Sequence, residues 1–145
     1  MKLVIQRVSS AAVEVEGKTV SSIGKGLLVL LGISCEDNDS QIDWLANKLV
    51  DLRIFEDENG KMNLSLKDIN GEILLVSQFT LYASCNKGRR PDFNAAARPE
   101  SAEELYLKFA EKLEDLGIKP ELGVFGAHMN INLVNDGPVT IILEK

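Results

Sequence analysis

Residues Gly26 to Ile33 read GLLVLLGI, eight positions with no polar side chain. A run this short cannot cross a bilayer, which takes about 20 apolar residues. It has neither the 3.6-residue period of a surface helix nor the alternation of a half-buried strand. The remaining solution is a strand covered on both faces, which requires a sheet with a layer on either side. Glu72 to Gln78, GEILLVSQ from Gly71, repeats the pattern and supplies a second buried strand. The other segments have to furnish the covering layers.

Leu3 to Val8 is rich in branched apolar residues, and Ala11 to Glu16 alternates Val13 and Val15 with Glu14 and Glu16; both read as strands. Glu16-Gly17-Lys18 turns the chain into a short partner over Thr19 to Ile23. Ile42, Leu45, Ala46 and Leu49 fall at helical spacing behind a cap at Asn38 or Asp39. Arg53-Ile54-Phe55 returns to strand, and Asn59-Gly60 marks a tight turn. A second helix is predicted near Ser101, where Ser101 and Glu104 have capping-box spacing. Its apolar face is Ala102, Leu105, Phe109, Leu113 and Leu116, and Gly117 ends it. Ser84 to Pro99 reads as irregular. Met129, Ile131 and Leu133 alternate with polar neighbours, Asn135-Asp136-Gly137-Pro138 is predicted as a turn, and Val139 to Leu143 as the last strand. The expectation is an α/β fold: one sheet-rich domain over residues 1–145, with a mixed sheet and two helices on one face.

Composition narrows the chemistry. The 145 residues carry a formal net charge of −6, which argues against tight, sequence-blind binding of nucleic acid. The N-terminal stretch interrupts its apolar residues with Arg7 and lacks a small-residue cleavage site, so it does not read as a secretory signal. Cys35 and Cys85 are too few for a disulfide framework or a zinc site, and read as ordinary buried or partly buried thiols of a cytoplasmic protein. Neither a metal nor a cofactor is called for. There is one histidine, His128, so any His-assisted nucleophile must use it. Nucleophile-elbow, zinc-protease, P-loop and dinucleotide fingerprints are absent from the sequence.

Four segments remain as candidate chemistry. Ser77-Gln78-Phe79-Thr80 leaves a buried strand at the sheet rim, where backbone amides can face one oxygen. Against this stands a strand simply running out into solvent. Gly137-Pro138 lets backbone approach a ligand closely and holds a peptide bond with a cheap cis form, or is an ordinary turn. Lys87, Arg89 and Arg90 make a basic run able to contact phosphates, or a solvated loop. His128 and Met129 follow Gly126-Ala127, and a lone outward histidine is most simply surface.

Taken together, Gln6-Arg7-Val8, Leu52-Arg53-Ile54-Phe55, Val76-Ser77-Gln78-Phe79-Thr80-Leu81, Gly88-Arg89-Arg90-Pro91 and Asn135-Asp136-Gly137-Pro138-Val139-Thr140 resemble the D-aminoacyl-tRNA deacylases. The resemblance runs in one register from Met1 to the C-terminus. It implies a homodimeric cytoplasmic hydrolase, with no membrane association, that cleaves a D-amino acid, or mischarged glycine, from the 3′ acceptor end of tRNA. It implies that Ser77, Gln78, Phe79 and Thr80 form the catalytic segment. Gly137 and Pro138, through a cis bond, would reach into the partner subunit's pocket and exclude L-amino acids, with Met129 at the substrate. The chain departs from the family pattern at Ser84-Cys85, Asp92 and His128. Thr80 has no evident base, so assistance by the substrate's 2′-hydroxyl is the preferred mechanism, with Thr80 as nucleophile the alternative. A non-catalytic module binding aminoacyl-tRNA or a D-amino acid, and a small-ester hydrolase using Thr80 and His128, are the competing readings.

Overall fold

The computed structural model describes residues 1–86 and 88–145. Strands β1 (Lys2–Val15), β2 (Lys18–Ile23), β3 (Gly26–Gly32), β6 (Glu72–Ser77), β7 (Glu121–Leu122) and β8 (Asn130–Glu144) form one sheet. Its order is β2-β1-β3-β6-β7, with β8 on β1. β3 and β6 run parallel, as do β6 and β7, while β1 is antiparallel to β2, β3 and β8. Strands β4 (Phe55–Glu56) and β5 (Met62–Leu64) make a small hairpin around Asn59-Gly60.

The two apolar runs are neighbours at the centre, as their composition demands. On one face Leu27, Val29, Leu31, Ile73 and Leu75 pack with residues of α1 (Ser40–Val50) and α2 (Pro99–Asp115). On the other, Leu28, Leu74 and Val76 pack with Val8, Ala11, Val13 and Ile23 and with half-buried Met129, Ile131 and Leu133. So both helices lie on one face, and the sheet's own strands cover the other. Gly26 permits the central pairing: a Cβ there would stand 2.0 Å from the Glu72 carbonyl oxygen.

Several expectations need correction. The two N-terminal strands are one, β1: its ladder with β8 shifts register between Val8 and Ser10 and then resumes at Ser10↔Val134. The predicted turn at 135–138 lies inside β8, which pairs with β1 from Lys2↔Glu144 to Glu14↔Asn130. Residues 136–139 bulge opposite Arg7 alone, between the pairs Gln6↔Thr140 and Val8↔Asn135. The capping box is not used: α2 starts at Pro99, whose fixed φ suits the first helical position, and Glu104 pairs with Lys108 instead. At α1 the Asn38 side chain accepts from the Ser40 amide at 3.0 Å, while Asp39, at the cap position, makes no side-chain cap bond. Cys35 and Cys85 are free and exposed, not buried, since each sits in a loop. No helix among the described residues is long and apolar enough to cross a membrane.

Candidate active site

β6 ends at Ser77, where the Gln78 amide donates to the Leu31 carbonyl at 2.8 Å and closes the parallel ladder. The chain then tightens into one 3₁₀ turn, Phe79–Tyr82. Gly32 makes room for that turn: a Cβ on it would lie 2.8 Å from Leu81 Cβ and 3.2 Å from the Gln78 carbonyl oxygen. Among the described residues the Phe79 and Thr80 amides donate to no protein acceptor. The Thr80 hydroxyl accepts from Gln78 Nε2, an amide that cannot take a proton from it.

The turn borders a cavity of about 670 Å³. Ser77, Gln78 and Phe79 line it from the strand end, Phe125, His128 and Met129 from the stretch before β8, and Phe93, Asn94 and Arg98 from the segment entering α2. The Phe79 and Phe93 rings meet edge to face with centroids 5.2 Å apart, and both are partly exposed. Tyr106 on α2 backs the site. Its hydroxyl donates to the Leu75 carbonyl at 2.8 Å, and burial pushes its ionisation well above the usual phenol range. Gly123 seats Met129, since a Cβ there would come within 3.0 Å of the thioether sulfur. The lining holds no carboxylate, thiol or lysine among the described residues.

The structure brings Ser77, Gln78, Phe79, Met129 and His128 to one cavity. Thr80 is exposed and follows Phe79 outside the lining. Gly137 and Pro138 also stand outside it; their peptide bond is cis. Arg7 holds that segment from below. Its guanidinium is buried, with Nε donating to the Asp136 carbonyl at 2.9 Å and Nη1 to the Ile54 carbonyl at 2.6 Å. A Cβ on Gly137 would lie 3.2 Å from Arg7 Nη2. Arg89 and Arg90 are exposed on the loop joined by the Ser84–Asp92 bridge, and Lys87 lies outside the described residues.

Sequence reasoning missed Arg98, Phe93 and Phe125 as lining residues and Arg7 as the anchor of 135–138. Arg7 did carry a signal: it is a charge placed within an apolar strand. Arg98 carried none, following a run of alanines in an irregular segment.

Residues 4–144 match the family model described as D-Tyr-tRNA(Tyr) deacylase. The chain is 60% identical to "D-aminoacyl-tRNA deacylase" of Desulfatibacillum aliphaticivorans, covering 100% of this chain and 99% of that one. It is 59% identical to the protein of the same name from Thermosipho africanus, covering 100% and 97%. A solved structure titled "c-Myc DNA Unwinding Element Binding Protein" superposes with a TM-score of 0.94 at 47% identity, over 100% of this chain and 99% of that one. A second, titled as a probable eukaryotic D-amino acid tRNA deacylase, shares the fold with a TM-score of 0.80 at 20% identity, over 98% and 97%. The mixed sheet with a cavity at its rim is thus that of an ester-hydrolysing enzyme. The chain belongs to the D-aminoacyl-tRNA deacylase family.

Proposed function

We propose that this enzyme, acting as one unit over residues 1–145, hydrolyses the ester between a D-amino acid and the 3′-terminal adenosine of tRNA. Glycine mischarged on tRNA is a further substrate. The observation that carries the mechanism is the pair of unengaged amides at Phe79 and Thr80, on a turn bordering a cavity without carboxylates. Water attacks the ester carbonyl, the oxygen gains charge, and those amides donate to it. Each such donor is worth about 10²–10³ in rate. The carbonyl–O3′ bond then breaks, and the ribose oxygen leaves with a proton. The adjacent 2′-hydroxyl positions the water, because no side chain at Thr80 supplies a base.

β8 supports a homodimer. Its outer edge is unpaired among the described residues, and Val134 and Ile142 on it are 58% and 63% exposed. A 15-residue open edge invites a second copy. Gly137 and Pro138 lie on this strand and away from their own chain's cavity, which fits a gate offered to the partner's pocket. Arg89 and Arg90, with Lys87, contact acceptor-end phosphates, and the enzyme works in the cytoplasm.

The test is deacylation of D- and L-aminoacyl-tRNA, with the terminal 2′-hydroxyl present or replaced by hydrogen. Thr80→Ala and His128→Ala are expected to retain substantial D-specific turnover, and the deoxy substrate to lose most of it. A folded, tRNA-binding Thr80→Ala that is inactive, beside normal turnover of the deoxy substrate, makes Thr80 the nucleophile instead.

A further inference from the structure

We infer that Arg98 binds the phosphodiester on the 5′ side of the substrate's terminal adenosine, an assignment that rests on the deacylase reading above. Arg98 is the one charged side chain lining the cavity among the described residues, in a chain whose net charge is −6. The ion pairs among the described residues engage the Met1 ammonium, Lys2, Arg7, Lys108 and Lys112 and leave Arg98 out. It is exposed, so its donors face solvent at the cavity rim. Its backbone is extended, φ −65° and ψ 150°, as a residue before proline prefers, and it immediately precedes the first turn of α2. The helix entry thus sets the backbone at Arg98, while no ion pair among the described residues engages its guanidinium.

The substrate presents two charges near the reacting ester. The amino acid's ammonium is repelled by a guanidinium. The phosphodiester of the same nucleotide is attracted, and the planar fork of arginine matches two phosphate oxygens. On this assignment the ester carbonyl sits at the Phe79 turn and the 5′ phosphate at Arg98, two residues that line the same cavity. Arg89 and Arg90 do not line this cavity. Arg90 borders an adjoining hollow that shares Phe93 and Asn94 with this cavity, a place for phosphates further from the ester.

The experiment compares three D-tyrosyl esters on the full chain: of adenosine, of adenosine 5′-monophosphate, and of the dinucleotide CpA. For the wild type, adding the phosphate is expected to lower KM about tenfold, the low end for a charge-assisted contact at an exposed site, with kcat unaltered. Arg98→Gln should abolish that preference, so that its three esters share one KM, and Arg98→Lys should restore part of it. If Arg98→Gln impairs all three esters equally, or keeps the phosphate preference, the assignment is wrong. A wild type that turns over the esters with no phosphate preference overturns Arg98 alone. A wild type inactive even on D-tyrosyl-tRNA overturns the deacylase reading, and this assignment with it.

Discussion

Replacing Arg7 by methionine removes five N–H donors while keeping an unbranched side chain of similar reach in a site only 4% exposed. Two acceptors lose their partners, the carbonyls of Asp136 and Ile54. Hydrogen bonds to a charged group contribute about 1.5–3 kcal/mol each, and the low end applies because part of the cost of burying the guanidinium is recovered. The ion pair to Asp136 adds little, since that carboxylate is 43% exposed and its oxygen lies 3.4 Å from Nε. The expected loss is about 3 kcal/mol, a large share of a typical 5–15 kcal/mol stability. It corresponds to a fall in Tm of about 10 °C for a domain of this size.

Urea unfolding followed by far-UV circular dichroism measures it, provided the slope m is unaltered. A loss below about 1 kcal/mol would refute the reasoning, because it would mean that water replaces the guanidinium at both carbonyls. The same variant tests the link to function. Arg7 ties the 136–139 bulge to the β4 strand's approach at Ile54, so its removal frees Gly137 and Pro138 to shift. At a temperature where the variant is fully folded, the D-to-L rate ratio is expected to fall. Reduced stability with an unchanged ratio would separate that bulge from chiral selection.

Gly32→Ala places a methyl 2.8 Å from Leu81 Cβ and forces the Phe79–Tyr82 turn outward. It should cost about 1–3 kcal/mol and lower kcat more than it lowers tRNA binding; normal kcat would mean the turn adapts without moving its amides. Neutralising Lys87, Arg89 and Arg90 together should weaken binding of different tRNAs by a similar factor and flatten the salt dependence, and an unaltered slope would reduce the loop to a solvated one. Asp68 accepts from the Ser65 amide at 2.8 Å and the Ser65 hydroxyl at 2.7 Å, and these bonds hold its ionisation below the usual carboxylate range. Its contribution is therefore present above the unfolded carboxylate value near ~3.9 and lost as pH falls through the lower folded one. Asp68→Asn should destabilise the protein at pH 7 and much less at pH 2, read from urea midpoints; an equal deficit at both would exclude the ionised form as the cause.

The centre of the fold was legible because burial on two faces leaves a compositional mark, as at Gly26–Ile33 and Glu72–Gln78. The helices were legible through Ile42, Leu45 and Leu49 and through Leu105, Phe109 and Leu113, each set on one stripe. What local pattern could not reveal was continuity. Ser9-Ser10 and Asn135 to Pro138 both look like breaks by residue preference, yet β1 and β8 run through them because each is the other's partner along its whole length. Pairing over so many residues outweighs a few unfavourable positions and pushes the surplus residues into a bulge. The site divides the same way. Ser77 to Phe79 could be placed from the end of a buried strand, whereas Phe93, Arg98 and Phe125 reach the cavity only because Ser34 bridges Ala96 and Gly123 bonds to Leu75 across the fold.

The character of the cavity bears on how, under the proposed function, one pocket would tell D-amino acids apart. Its walls are mainly apolar, with Val76, Phe79, Phe93, Phe125 and Met129 offering area and Ser77, Gln78, Asn94, Arg98 and His128 the few polar side chains. A pocket of that kind separates substrates differing by a methylene only about 10–200-fold, too little for strict choice among residues. Polar readout that all amino acids share has to come from their backbone atoms, and backbone donors are what the Phe79 turn supplies. An aminoacyl ester is already activated, so positioned amides and an adjacent hydroxyl on the substrate can account for turnover without a charged residue beside the carbonyl. Among the described lining residues, no carboxylate competes with the reacting carbonyl for the two amides. Under the proposed function, selection by chirality rather than by side chain would rest on main-chain polar atoms, at Phe79 and Thr80 and, across the proposed dimer, at Gly137.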